Sequence, residues 1–230
     1  MINIIIRTSG RPKSFRECIA SIERQTYKKV NIIVGVDGPD SYADKLNPIR
    51  YPRQKSDETY LDLNGYRTRH FPYNLYLNRL MQECVPGWVL ILDDDDEFFN
   101  SNSLLDIMAP MKRPLDAAFW RVRVGNKMVP SNINFRNRPV CKDFSMIGMA
   151  FHTSYIPLLQ FDNYKQADYR VADRIFSILN VVWIDKVLTQ TQSRENAAGA
   201  GRRKDKNEAI KIDPAVLARQ KRNLFRQDKK

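Results

Sequence analysis

WVLILDDDDEFF, residues 88–99, runs five apolar side chains straight into five acids. The apolar half, Trp88 to Leu92, follows a Pro86-Gly87 turn signal and suits a strand buried on both faces. Five consecutive acids are not expected to remain in such a core. They are expected where the strand leaves it, at the carboxyl end, where open α/β sheets bind ligands. In an extended segment Asp93 and Asp95 share a face, about 6.5–7 Å apart. Two carboxylates at that spacing repel by roughly 2 kcal/mol at an effective dielectric of ~20. A divalent cation with oxygen ligands is the simplest compensation. A solvated acidic loop, or a cap for the following helix, is the alternative.

The N-terminal segment supplies the strand's neighbours. Ile2 to Ile6 is an apolar run ending in the polar loop Arg7-Thr8-Ser9-Gly10-Arg11-Pro12. Ser14 and Glu17 form a capping-box signal, and Phe15, Cys18, Ile19 and Ile22 repeat with helical spacing. Val30 to Val36 is a second strand, ending at Asp37-Gly38-Pro39-Asp40. Strand, helix and strand make a βαβ unit, whose right-handed crossover places both strand ends at one edge of the sheet. Thr8 to Arg11, Asp37 and the Asp93 cluster are therefore expected to converge.

Residues 41–71 are polar and irregular, with a possible short strand over residues 49–53. Tyr73, Leu77, Leu80, Met81 and Cys84 mark a helix, and residues 103–111 a shorter one near Pro110. Residues 117–124 begin as a buried run and then alternate, which predicts a strand in a less buried sheet. Residues 126–143 are polar and hold Arg136 and Arg138, available to a ligand. Residues 147–151 and 181–184 are short strands around a helix carrying Val171, Ile175, Ile178 and Leu179, with Ala167-Asp168 at its start. Residues 196–201 are flexible by composition. Asp213-Pro214 opens a last helix with Val216, Leu217, Leu224 and Phe225 on one side.

The 230 residues carry a net charge of +12. Residues 194–230 hold 12 Lys/Arg against 5 Asp/Glu, so the tail is strongly basic and residues 1–193 only mildly so. A basic tail favours polyanions: nucleic acid, an anionic membrane surface or a phosphorylated substrate. A solubilising tail is the plainer reading. No apolar run approaches the ~20 residues that span a membrane, and residues 1–7 lack a leader pattern. Cys18, Cys84 and Cys141 read as reduced thiols of a cytoplasmic protein, with peripheral membrane association open. His70 and His152 are too few and too far apart for a histidine-based metal site.

Together these segments resemble family-2-type glycosyltransferases of the GT-A fold. IIIRTSGRPKSFRECIASIERQTYKKVNIIVGVDG resembles the family's first strand, nucleotide loop, helix and second strand. LILDDDDEF resembles its D-x-D stretch, and ADYRVADR, residues 167–174, its acidic catalytic motif. The resemblance spans about residues 1–193. It implies an α/β fold with a Rossmann-like nucleotide-binding half, a mixed central sheet flanked by helices, and a separate basic helical tail over residues 194–230. It also implies hexosyl or pentosyl transfer from a nucleotide-sugar, UDP-linked by expectation, to an acceptor hydroxyl. Many members supply a late histidine to the metal or diphosphate. This chain has Gln190 and Gln192 near that place.

The resemblance implies roles residue by residue. Thr8 and Arg11 correspond to the loop lining the nucleotide, and Asp37 to the acid that accepts a hydrogen bond from the base. Asp93 contacts ribose or metal, and Asp95 ligates Mn²⁺ or Mg²⁺; Asp94 and Asp96 are the register alternative. Asp168 is the expected general base, with inversion at the anomeric carbon, and Asp173 is its reserve. A helix cap is the plain reading of Asp168. Residues 72–78 and 87–98 also look like segments of compact phage transferases. This keeps hydroxymethylated pyrimidines in DNA beside cell-surface glycans as acceptors. A metal-dependent nuclease or polymerase-like enzyme, or a non-catalytic nucleotide-sugar binding module, are the other classes a basic α/β chain with an acid cluster admits.

Overall fold

Strand β1 (Ile2–Thr8) is buried along nearly its whole length because it has a partner on each side. It pairs in parallel with β2 (Val30–Asp37) and with β6 (Trp88–Ile91), and the crossover from β1 to β2 is helix α1 (Pro12–Glu23). The computed structural model describes residues 1–51, 59–61, 67–69 and 73–192. The stretch 196–201 and the helix expected after Asp213 lie outside them, as does His70.

Among the described residues the main sheet has nine strands. The others are β3 (Ile49–Tyr51), β7 (Asp96–Phe98), β8 (Asp116–Val124), β9 (Lys127–Val129), β10 (Met149–His152) and β11 (Asn180–Thr191). Its order is β3-β2-β1-β6-β10-β8-β11-β7, with β9 on β8. The segments β4 (Thr59–Leu61) and β5 (Arg67–Arg69) form a separate antiparallel pair. The order makes the sheet mixed: β3, β2, β1 and β6 run parallel, β10 runs against both neighbours, and β7 runs against β11.

Two apolar layers cover the sheet, and strand alternation sorts side chains between them. Ile2, Ile4, Ile6, Leu90 and Leu92 meet Phe15, Cys18 and Ile22 of α1 and Leu104 and Ile107 of α3 (Ser103–Met108). Ile5, Val89 and Ile91 meet Leu77 and Leu80 of α2 (Asn74–Met81) and Val171 and Ile175 of α4 (Ala167–Ile178). The side chains named in both layers are 0–5% exposed.

Several expectations change in detail. Helix α1 begins at Pro12, not at a Ser14 cap. Proline suits the first helical turn because its missing N–H is unpaired there anyway, and Ser14 is buried inside the helix. Strand β8 is no half-exposed strand: seven of its nine residues are buried, since it sits between β10 and β11. Strand β11 runs for 12 residues where the sequence suggested a short strand at 181–184. The charged pair Asp185-Lys186 masked its continuity, and there the register with β8 shifts. Asp185 accepts from Arg121 Nε at 2.6 Å and Lys186 reaches Asp106 at 3.0 Å, so both charges have partners at that irregularity.

Candidate active site

The acid run is built by a ladder that ends in a turn. Beyond β6, the Leu92 N–H donates to the Ile5 carbonyl at 2.9 Å and the Asp94 N–H to the Arg7 carbonyl at 3.2 Å. The Asp96 N–H then donates to the Asp93 carbonyl at 2.9 Å, closing a tight turn that reverses the chain into β7. The turn replaces extended alternation. Residues i and i+3 are brought close, and of the five acids Asp93 and Asp96 line the adjoining cavity.

The acids do not all leave the core, contrary to expectation. Asp94 is 0% exposed and Asp96 7%. A buried carboxylate needs partners, and Asp94 has them: it accepts from Thr8 Oγ1 at 2.6 Å and from Arg11 Nε at 3.0 Å. Burial pushes Asp94 up to about 7, with Arg11 and Thr8 pulling the other way. Burial also pushes Asp96 well above the carboxylate range, helped by its acidic neighbours. Arg11 Nη1 lies 2.9 Å from Asp95 Oδ2. Arg7 holds Asp93 at two points, Nε to Oδ1 at 2.9 Å and Nη2 to Oδ2 at 2.7 Å. Much of the repulsion that suggested a cation is thus met by two arginines from the β1–α1 segment.

A cavity of about 250 Å³ opens beside the turn. Arg7, Asp93 and Asp96 form one part of its wall, and Lys165, Gln166 and Asp168 another. Asp168 is the second residue of α4 and not its cap; the cap position is Gln166, in the left-handed region at φ 66 with no side-chain cap bond. Burial pushes the Asp168 carboxyl above its ordinary range, while the backbone N–H groups of Tyr169 and Asp168 and the charges of Arg170 and Arg7 pull it down.

The predicted residues divide. Asp93 and Asp168 meet at the cavity. Thr8 is 2% exposed, and its hydroxyl is shared between Asp94 and Tyr42 Oη at 2.7 Å. Arg11 likewise faces the acid turn. Asp37 ends β2 on the neighbouring loop, where Ser9 Oγ reaches its carbonyl at 3.4 Å. There Gly10, at φ 64, donates its N–H to Asp40 Oδ2 at 2.7 Å; the left-handed turn explains a glycine at this point. Asp173 is five residues past Asp168, about 140° further round the helix. It is paired with Arg138 at 2.5 and 2.9 Å, which holds its carboxyl below the usual range. Arg138, expected to serve a ligand, is occupied by this pair.

Gln190 and Gln192 face the turn from β11 and beyond its end. Gln190 Nε2 donates to Glu97 at 2.6 Å. Gln192 Nε2 lies 3.0 Å from the Ser14 carbonyl and 3.3 Å from those of Asp94 and Asp96. Its backbone N–H donates to the Asp95 carbonyl at 2.8 Å. Arg7 and Lys165 were missed as cavity residues. Arg7 had a readable signal, being a cation at the end of a buried strand that neighbours an acid run; Lys165 had none.

A central sheet between two helical layers, with an acid turn at strand ends and a cavity reaching a late helix, defines the GT-A fold. The chain belongs to Glycosyl transferase family 2, whose profile matches residues 3–187. Similar solved structures include S. aureus TarS 1–349 in complex with UDP-GlcNAc, at 15% identity and a TM-score of 0.63 over 86% of this chain and 61% of that one. A mannosyltransferase, PcManGT from Pyrobaculum calidifontis, in complex with GDP-Man and Mn²⁺, aligns at 14% identity and a TM-score of 0.57, over 82% and 56% of the two chains. The chain covers 36% of the longer S. aureus TarS structure, so it spans about a third of that relative. No curated protein sequence matches it. No helix among the described residues is long and apolar enough to cross a membrane.

Proposed function

We propose that this chain transfers a sugar from a nucleotide-sugar to an acceptor hydroxyl with inversion, and that Asp168 is the general base. The observation behind the reading is that Asp168, held above the ordinary carboxylate range, lines one cavity with Asp93 and Arg7. Asp168 takes the acceptor proton, and the hydroxyl oxygen attacks the anomeric carbon on the face opposite the leaving diphosphate. The bond to the diphosphate breaks and negative charge passes to it. Arg7 and Lys165 provide positive charge in the cavity wall where that charge develops. Asp173, paired with Arg138, is a structural residue in this reading. Asp37 and the loop holding Thr8 and Arg11 shape the nucleotide side.

The acid turn suits a divalent cation in its chemistry. Its donors are oxygens only, and Mg²⁺ or Mn²⁺ combines one or two carboxylates with substrate phosphates. Among the described residues no three acidic, His or Cys side chains already close on one point. A donor diphosphate would complete the shell. Asp93 and Asp95 are the residues assigned to hold the ion, which would share their carboxylates with Arg7 and Arg11. A bound ion would supply Lewis-acid stabilisation of the departing diphosphate.

The relatives bound to UDP-GlcNAc or to GDP-Man make both nucleotides suitable probes. The test is a thermal-shift screen of UDP, GDP, UDP-GlcNAc, UDP-Glc and GDP-Man with and without Mn²⁺, followed by turnover assays with the ligands that bind. A raised midpoint with nucleotide and turnover supports transfer. Binding without turnover by any acceptor returns the chain to a non-catalytic module, and no binding removes the donor assignment.

For the acceptor, the basic tail over residues 194–230 supports a polyanion: hydroxymethylated DNA, or a glycan at an anionic membrane surface. Gel shifts at about 50 and 200 mM salt, run beside anionic liposome pull-downs, separate them, since binding through several phosphates weakens steeply over that range.

A further inference from the structure

We infer that Arg11 and Asp94 are a positioning pair that sets the Asp95 carboxylate before any cation or diphosphate arrives. The inference rests on the nucleotide-sugar and cation reading above and adds two residues to it. With Asp93 and Asp95 assigned to the ion, the residue between them is left without a role. Here it is an aspartate with 0% exposure, an arrangement that would be unfavourable without compensation. Its compensation is specific: Thr8 Oγ1 at 2.6 Å and Arg11 Nε at 3.0 Å both reach Asp94 Oδ2. The Arg11 side chain is only 13% exposed, and its guanidinium spans from Asp94 to Asp95, with Nη1 2.9 Å from Asp95 Oδ2.

Further bonds fix the pair in place. The Arg11 backbone N–H donates to Tyr42 Oη at 3.3 Å, and Tyr42 Oη meets Thr8 Oγ1 at 2.7 Å. Arg11 also stands at the start of α1, so its backbone position is set by the helix. A planar guanidinium can span two carboxylates at once, which a lysine ammonium cannot do with the same geometry. Side chains that orient a metal-binding carboxylate without touching the ion tune its affinity, typically by 10–100-fold. Asp94 and Arg11 stand in that relation to Asp95.

The test is calorimetric titration of Mn²⁺ into protein with saturating UDP or GDP, whichever the wild type binds, with melting curves alongside. The variants are Asp94→Asn, Arg11→Lys and the double variant Asp94→Asn/Arg11→Met. Asp94→Asn keeps the shape of the buried side chain, so it serves if changes at Arg11 prevent folding. The expected result is a loss of about 10–100-fold in Mn²⁺ affinity for each folded variant. Arg11→Lys should not keep the wild-type affinity although it keeps the charge, and the double variant should lose much less than two independent effects would give. Folded variants that bind Mn²⁺ and nucleotide like the wild type overturn the inference and leave the cation reading standing. Wild-type nucleotide binding that is unchanged by EDTA removes the cation reading, and the inference with it. A wild type that binds neither nucleotide removes the donor assignment itself.

Discussion

Arg7 grips Asp93 through two parallel hydrogen bonds, at 2.9 and 2.7 Å, and the joined pair lines the same cavity as Asp168. The geometry gives a cavity with anchored charge on one side and a titratable carboxyl on another. Nucleotide anchoring and proton transfer are therefore expected to separate when the two sides are mutated one at a time.

Asp168→Asn is expected to keep nucleotide affinity and to lose at least about 10²-fold in turnover, the scale of a missing general base. Asp173→Asn, which only breaks the pair with Arg138, is expected to turn over within a few-fold of wild type. Steady-state kinetics beside nucleotide calorimetry decide it; a dead Asp173→Asn with an active Asp168→Asn would move the base.

The pH profile carries a sign. Asp168 must be ionised to accept a proton, and burial holds its pKa above the ordinary value. Activity should therefore fall as pH drops through that raised pKa, with the acid limb of kcat/KM above the ~3.9 of a solvated aspartate. Arg7→Gln removes one of the charges that favour ionisation, so it should move the limb to still higher pH. A limb at the solvated value, unmoved by Arg7→Gln, contradicts the assignment.

Asp95→Asn is expected to fold, to melt within a few degrees of wild type, and to lose the Mn²⁺-dependent part of nucleotide binding. Melting curves with UDP or GDP, in Mn²⁺ and in EDTA, show whether the ion's contribution has gone. A folded variant whose nucleotide binding still responds fully to Mn²⁺ would remove Asp95 from the metal assignment.

Gln192→Leu tests how the turn is held. The variant leaves the carbonyls of Ser14, Asp94 and Asp96 without the donor they share, at a cost of about 1–3 kcal/mol. Chemical denaturation measures that loss. An unchanged midpoint would show that the side-chain amide contributes nothing.

Gly87 offers a backbone test far from the site. It sits at φ 150, and a Cβ there would overlap the carbonyl oxygen of Met1. Gly87→Ala is expected to lower stability by more than about 1 kcal/mol, since both conformation and space forbid the methyl. Equal melting of variant and wild type would rule out that strain.

The parallel centre of the sheet was legible because its strands are apolar on both faces: Ile2–Ile6, Val30–Val36 and Trp88–Leu92 read as apolar runs, broken by a polar side chain only at Asn3 and Asn31. Asp93 and Asp168 were legible as acids at a strand end and a helix start. What could not be read was the bend between Asp93 and Asp96. A row of identical acids carries no glycine or proline to announce a turn, so the arrival of Asp96 beside Asp93 in the cavity wall could not be foreseen. Strand β11 was hidden by Asp185 and Lys186, whose partners Arg121 and Asp106 come from distant segments. The burial of Asp94 was equally hidden, because it depends on Arg11, 83 residues earlier.

The bonds from Gln192 also set an order of assembly. Gln192 and Ser14 are 178 residues apart along the chain, whereas β1 pairs with β2 within the first 37 residues. During synthesis the parallel strands can associate while the bend between Asp93 and Asp96 still lacks its last fastening. Ribosome-stalled chains released before residue 192 should then resist protease across β1 and β2 yet bind nucleotide poorly, and chains stalled well beyond it should do both. The catalytic end of the domain would thus mature last, once translation has delivered the strand that closes it.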